Sequence, residues 1–402
     1  MRKTLGAALA VAALAITACS SSGSGGGNKS DQPALRIVMT SSITSAGVGA
    51  NDKTAIMAAK AAVATINAAG GVLGKPIELS VVDIAGDATT AVTKLQQQWT
   101  SSKKPIIYLQ VGQSTIAKAT LPIATQNKVV SFNQSPTDTS GDPSKTPYNF
   151  DLSPSTPNYA EAFCPEMKKM NAKTFGIIYN DSPFAEGLTS EVAKQCQAAG
   201  LTMVGREKFK LDALDVTPQL SALQAKHPDV LVVSSYGAPS GYVLQGRDKL
   251  GWDVPILGDN AFMVSPVVNT PPPDGMLGTD KEKNVRAEVF QSTVYDANAP
   301  APLKDMITEM KKQGTIPAPL IVAYMHDAVV LAAAGAEAAG TTTDAAKIAK
   351  AIEGLKPGGP KTAIFPAYHF TSSSHSANVD VTSFLFTAPT KVIDGQFGAP
   401  GA

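Results

Sequence analysis

The chain has 402 residues, 17% of them charged, and a formal charge of +1. A balance so close to neutral, with no basic block, excludes the electrostatic footprint of a nucleic-acid binder. The length exceeds what one hydrophobic core ordinarily fills, so two lobes are expected.

At the N-terminus Arg2-Lys3 precedes an apolar run from Leu5 to Ile16, too short to span a bilayer as a helix. A basic start, a short apolar core and small residues before a break describe an export leader, removed before folding. The break reads Ile16-Thr17-Ala18-Cys19 and resembles a bacterial lipobox. That resemblance implies a leader of residues 1–18 and lipidation of Cys19; the alternative is an ordinary leader with a chance cysteine. Loss of Arg2 and Lys3 moves the formal charge from +1 to −1. Several acyl chains on one residue anchor stably, where one alone binds only marginally. Residues 19–33 begin Ser/Gly-rich and read as a flexible tether that lets a folded domain stand clear of a membrane. After the leader, no segment reads as long and apolar enough to cross a bilayer.

From Leu35 short β-rich runs alternate with helical stretches. Strands are expected at Arg36–Met39, Ile77–Val82, Ile106–Gln110 and Val129–Phe132, with helices near 53–69, 88–100 and 114–126 between them. Alternation of this length predicts βαβ units and a parallel sheet. The stretch 135–147, rich in Pro, Thr, Asp and Gly, breaks the pattern. It resumes with helices near 158–170, 184–199, 216–226 and 240–250 and strands near 174–179, 202–208, 229–234 and 255–257. The last third is less regular. A breaker at Asn269–Gly275 is followed by helices near 300–313, 319–339 and 344–354, a Gly/Pro-rich turn at Gly354–Pro360, and β-like runs to Ile393.

Cys164 and Cys196 lie on the two predicted helices that flank the strand Thr174–Tyr179. In an oxidising envelope a disulfide between them is expected, with two buried thiols as the alternative. Four histidines, His227, His326, His369 and His375, show no zinc-ligand spacing, and no Cys-x-x-Cys occurs. Neither a metal nor a cofactor is therefore expected. Gly112-Gln113-Ser114-Thr115-Ile116 follows a strand and opens a helix, the context of a nucleophile elbow, but it lacks the second glycine of that motif. Gly47-Val48-Gly49 comes late after the first strand, and Asp52 stands where a third glycine would complete a phosphate cradle, so a turn is the better reading.

In open α/β sheets ligands bind beyond the carboxyl ends of the strands, where helix N-termini present free N–H groups. Residues there are Ser41-Ser42, Gly112-Gln113-Ser114 and Asn133-Gln134-Ser135 in the first run, and Asp181–Phe184, Tyr236-Gly237 and Asp259-Asn260 in the second. The first set is small, polar and neutral, and the N–H groups opening helix 114–126 favour an anionic ligand group such as a carboxylate. Ser114 and Thr115 also suit simple helix capping, and the two readings are compatible. Phe184 and Tyr236 read either as core aromatics or as a lid over an apolar ligand part.

The sequence Ile66-Asn67-Ala68-Ala69-Gly70-Gly71-Val72-Leu73-Gly74-Lys75-Pro76-Ile77-Glu78-Leu79 ends a helix, turns and starts a strand. It closely resembles the corresponding segment of solute-binding proteins serving branched-chain amino acid ABC importers. The resemblance runs from Leu35 to about Phe262 and more loosely beyond. It implies an α/β fold of two doubly wound parallel-sheet lobes joined by three hinge segments, with lobe 1 at 34–152 plus about 262–355 and lobe 2 at 153–261 plus about 356–402. The family's carboxylate-gripping turns match Gly112-Gln113-Ser114 and Ser131-Phe132-Asn133-Gln134-Ser135. Its Tyr-Gly-x-Gly turn becomes Phe184-Ala185-Glu186-Gly187, without the tyrosine hydroxyl, and the acid that pairs with a ligand ammonium aligns near Pro239. A buried ammonium without a carboxylate is costly, so an ordinary amino acid requires Asp181 or Asp259 as a substitute. The amides of Gln113, Asn133 and Gln134 suit polar, less charged solutes.

The ligand-binding set expected is therefore Asn51, Gln113, Ser114, Asn133, Gln134, Ser135, Phe184, Tyr236 and Asp259. The expected function is non-enzymatic: a monomeric, lipid-anchored extracytoplasmic protein that captures a small polar or carboxylate-bearing solute between its lobes. Its expected partners are the membrane and ABC permease subunits, with no nucleic acid. A ligand sensor that presents the closed form to a signalling partner is one alternative; an envelope-anchored hydrolase using Ser114 is another.

Overall fold

The computed structural model describes residues 33–398, Ala46 and Asn378 excepted. The leader, Cys19 and the tether as far as residue 32 lie outside the described residues.

The first elements are β1 (Arg36–Ser41), α1 (Gly49–Ala68), β2 (Glu78–Asp83), α2 (Ala88–Trp99), β3 (Ile107–Gln110), α3 (Ser114–Gln126), β4 (Val130–Asn133) and β5 (Asn149–Pro154). Then come α4 (Thr156–Ala160), α5 (Phe163–Lys169), β6 (Thr174–Asn180), α6 (Pro183–Ala198), β7 (Thr202–Phe209), α7 (Thr217–Gln224), β8 (Val230–Ser234) and α8 (Ala238–Lys249). The remainder is β9 (Ile256–Gly258), α9 (Asn260–Met263), α10 (Pro266–Asn269), β10 (Val285–Phe290), α11 (Ala301–Lys311), α12 (Tyr324–Ala339), α13 (Ala345–Glu353), β11 (Ser376–Ala377) and β12 (Phe384–Thr387).

The turn between α1 and β2 shows how local chemistry sets this path. The N–H of Gly71 returns to the carbonyl of Ile66 at 2.9 Å, closing the helix. Gly71 has φ +75°, and a Cβ there would lie 1.9 Å from the carbonyl oxygen of Lys75, so only glycine fits. The Asn67 amide then clamps the incoming strand, accepting from the N–H of Ile77 at 2.7 Å and donating to its carbonyl at 3.2 Å.

Two six-stranded sheets result, ordered β11-β5-β4-β3-β1-β2 and β12-β10-β9-β8-β6-β7. Pairing is parallel throughout except between β10 and β12. Helices cover the faces, so central strands such as β3, β4 and β8 are buried along their whole length. This is the doubly wound pair expected from the alternation of strands and helices. The chain crosses between the sheets three times: after Pro154, between Phe290 and α11, and between Ala377 and Phe384. The middle crossing is fixed by α11, α12 and α13, which return to pack on α1, β4 and β5 of the first sheet.

Four details differ from expectation. The single helix near 158–170 is two, α4 and α5, because Pro165 has no N–H to bond the preceding turn. β5 was not expected and continues the first sheet to Pro154. β10 lies in the second sheet, although 262–355 was expected with the first, and β11 lies in the first sheet, although 356–402 was expected with the second. Finally, Leu320–Ala339 does have the length and mean hydropathy of a bilayer span. It is nevertheless a core helix: 83% of that stretch is buried inside the protein, and α12 packs between α1 and α13.

Candidate ligand-binding cleft

Segments that leave the carboxyl ends of strands in both sheets meet around one cavity of about 90 Å³. From the first sheet come Gly112, Gln113 and Ser114 after β3, Gln134 and Ser135 after β4, Ser153 at the end of β5, and Asn51 and Asp52 in the first turn of α1. From the second come Phe184 opening α6, Tyr236 after β8, and Asn260 and Ala261 opening α9. Tyr159 of α4 and Tyr324 of α12, each beside a crossing, complete the wall.

Hydrogen bonds join the two sides directly. Ser114 Oγ accepts from the N–H of Phe184 at 3.1 Å. Asn51 Nδ2 donates to the carbonyl of Val264 at 3.2 Å, which fixes the amide and leaves Oδ1 without a partner. Ser135 Oγ donates to the carbonyl of Gly112 at 2.8 Å. Asn260 Nδ2 donates to Tyr159 Oη at 2.9 Å, and the Tyr159 and Tyr324 hydroxyls lie 3.4 Å apart. Phe184 packs edge-on against Tyr159 with ring centres 5.5 Å apart.

Among the described residues that line the cavity, Gln134 Oε1, Ser153 Oγ and Tyr236 Oη are also buried without a partner. Unsatisfied buried polar atoms are costly and uncommon. Four of them lie around this one cavity. Asp52 is buried too, and accepts from the N–H of Ser42. Burial pushes its carboxyl up to about 6, against the Ser42 bond and with a further push from Asp83.

Of the nine residues expected from sequence, seven line this cavity: Asn51, Gln113, Ser114, Gln134, Ser135, Phe184 and Tyr236. Asn133 and Asp259 lie behind its wall. Asn133 Nδ2 donates to the carbonyl of Ser135 at 3.0 Å, and its Oδ1 accepts from Asn149 at 2.7 Å. Asp259 caps α9 through the N–H of Phe262 at 2.7 Å and accepts from the Ser234 hydroxyl; burial pushes its carboxyl up to about 7. Successive residues at a strand end point to opposite sides, so Gln134 reaches the cavity where Asn133 turns inward. Ser131 likewise donates to Asn149 within the first sheet, at 2.8 Å. Asp181 accepts from the N–H of Leu211 at 2.9 Å and is absent from the lining.

A family model described as periplasmic binding protein matches residues 34–384. The chain belongs to that family. A Leu/Ile/Val-binding protein homolog from Brucella melitensis is 24% identical over 306 residues, 74% of this chain and 78% of its own. Three solved structures share the fold. A type 1 periplasmic binding protein from Bordetella pertussis has a TM-score of 0.75 at 20% identity, covering 89% of this chain and 96% of its own. The branched-chain amino acid binding protein LivJ from Streptococcus pneumoniae, solved with isoleucine, gives 0.71 at 19%, covering 91% and 98%. An ABC-transporter solute-binding protein from R. palustris, solved with 4-hydroxybenzoate, gives 0.72 at 15%, covering 91% and 95%.

Among the described residues no histidine lines the cavity of this binding protein, and the Ser114 hydroxyl accepts a backbone N–H. An activated nucleophile needs a base within hydrogen-bond reach. Among the described residues no group of three His, Cys, Asp or Glu side chains could hold a metal ion. Asp52, Ser153, Tyr159 and Tyr324 line the cavity without having been expected there, whereas Asn260 lies among the strand-end candidates read from sequence, though outside the nine-residue set. Asp52 and Asn260 follow β1 and β9 into helix starts, so the rule for strand ends reaches them. Tyr159 and Tyr324 reach the cavity only because crossings bring α4 and α12 to it.

Proposed function

We propose that this binding protein captures a small polar, amino-acid-like solute between its two lobes and delivers it to the permease of an ABC importer, held at the outer face of the cell membrane through lipidated Cys19. What carries the reading is the cavity between the sheets, where four buried polar atoms lack partners. The bonds Ser114–Phe184 and Asn51–Val264 span its two sides. A solute that contacts both sides shifts an open–closed equilibrium toward the arrangement in which these bonds form. The first N–H groups of α3, at Ser114 and Thr115, suit a carboxylate end. The names of the Brucella relative and the isoleucine complex support an amino-acid-like solute, while the 4-hydroxybenzoate complex shows that the fold accommodates a different carboxylate.

A thermal-shift screen of amino acids, amides, small carboxylates and aromatic acids tests this. A solute that binds only the folded state raises its apparent stability by mass action. A concentration-dependent rise for at least one class is expected, with the solute recovered unaltered. No shift in any class, or turnover of the solute, overturns the reading.

A further inference from the structure

We propose that Asp52 is the residue by which this cavity selects its solute: its carboxylate receives a protonated amine at the wall beside Gly112. The inference rests on solute binding in this cavity and adds the chemistry of the group that enters it.

Asp52 is 1% exposed, yet it borders the cavity. The position a Cβ would take on Gly112 lies 3.8 Å from Asp52 Oδ1 and 3.9 Å from Oδ2. Its protein partner there is Ser42, through the N–H and the hydroxyl, and a carboxylate offers about four acceptor sites. The charge that acts on it is Asp83, of the same sign. Among the described residues no Lys, Arg or His lines the cavity. A buried anion with a like neighbour and no cation in its cavity lacks the partner that buried charges ordinarily have.

The atoms around it share this bias. Asn51 precedes Asp52 in the first turn of α1, is 92% buried, and presents Oδ1 unpaired, because its Nδ2 is spent on Val264. Ser135 spends its hydroxyl proton on the carbonyl of Gly112, so toward the cavity it offers lone pairs only. Asn51, Asp52 and Ser135 thus face an incoming group as acceptors. A carboxylate has no hydrogen to give them, whereas an ammonium brings three donors and the missing positive charge. The acid sought near Pro239 in the second sheet is replaced by one from the first.

The test is titration calorimetry of the purified protein with matched probes: alkyl and phenylalkyl amines, carboxylic acids of the same carbon frames, and α-amino acids carrying both groups. The wild type is expected to bind amine-bearing members about tenfold or more tightly than the acids of the same frame. Asp52→Asn keeps an acceptor for Ser42 while removing the charge, and is expected to bring that ratio close to one, with amine binding weakened and acid binding equal or stronger. A purely structural role for Asp52 would weaken all probes together and leave the ratio intact. A wild-type preference for the acids, or a ratio unmoved in Asp52→Asn, overturns the inference while leaving solute binding in place. Binding of no probe by the wild type overturns both. Should Asp52→Asn fail to fold, the wild-type ratio alone decides, since a preference for the acids contradicts the proposal without any variant.

Discussion

The hydroxyl oxygen of Ser114 accepts the backbone N–H of Phe184 at 3.1 Å, joining the start of α3 on the first sheet to the start of α6 on the second. The serine is 1% exposed and the phenylalanine 7%, so the N–H has little water to fall back on once the two sides meet. Ser114→Ala leaves that donor unpaired in the closed arrangement only. Solute affinity is expected to fall by about 1–3 kcal/mol, with little change in the stability of the ligand-free protein. Calorimetry beside thermal melts checks both halves. Equal affinity for the variant and the wild type would mean that the bond plays no part in closure.

Gly71 makes the opposite prediction, for a scaffold position far in chemistry from the cavity. Its φ of +75° and the 1.9 Å approach of a built Cβ to the Lys75 carbonyl leave no room for a side chain. Gly71→Ala must either open the turn or free the Asn67 clamp on Ile77. A loss of about 2–4 kcal/mol in urea unfolding is expected, with affinity per folded molecule unchanged. A loss below about 0.5 kcal/mol, the range of an ordinary surface change, would show that the turn relaxes freely.

These two residues also show what a sequence can reveal here. The α1–β2 turn is legible because every constraint in it is local: glycines where φ is positive, and an amide at the next-to-last position of the helix. The strand-end rule found most of the cavity for a similar reason, since a parallel sheet fixes where its carboxyl ends open. What it could not supply is side-chain direction. Asn133 and Gln134 are neighbours of like chemistry, and the alternation at the end of β4, as it sits in the sheet, sends one inward and the other to the cavity. β5 itself, Asn-Phe-Asp-Leu-Ser-Pro, was hidden by its polar residues. Their partners are distant in sequence: Asp151 accepts from Ser140 at 2.9 Å, and the carbonyl of Asn149 meets His375 at 2.8 Å. Lobe assignment in the last third depends on crossings made by tertiary packing, to which local propensity is blind.

Cys164 on α5 and Cys196 on α6 are bonded, with Cα atoms 5.2 Å apart and a sequence separation of 32. The bond ties α5 to α6, which packs on the second sheet. In the chain-entropy account, a loop of this length stabilises the folded state by about 3–4 kcal/mol. The double variant Cys164→Ser/Cys196→Ser is expected to unfold at lower denaturant concentration by that amount and to bind solute with unchanged affinity. Free-thiol titration of the wild type under denaturing conditions checks the premise, since two reactive thiols would remove it.

The buried acids set the direction of the pH dependence. Burial pushes Asp52 up to about 6 and Asp151, Asp259 and Glu282 up to about 7. Each then keeps its proton in the folded state at pH values where the unfolded chain, with carboxyl groups near 4, has already released it. The folded state binds more protons across that window, so stability falls as pH rises through it. The loss from these four levels off only about one pH unit above those values. His375 works the other way, because burial lowers its value below 6.5, and it withdraws stability as pH falls beneath that point. Four acids outweigh one histidine, so the melting temperature without ligand is expected to be higher near pH 5.5 than near pH 8. Asp151→Asn keeps an acceptor for Ser140 and removes one titrating group, and should flatten the slope between these values. A melting temperature that rises steadily from pH 5.5 to 8 would show that these carboxyls are ionised in the folded protein at little cost.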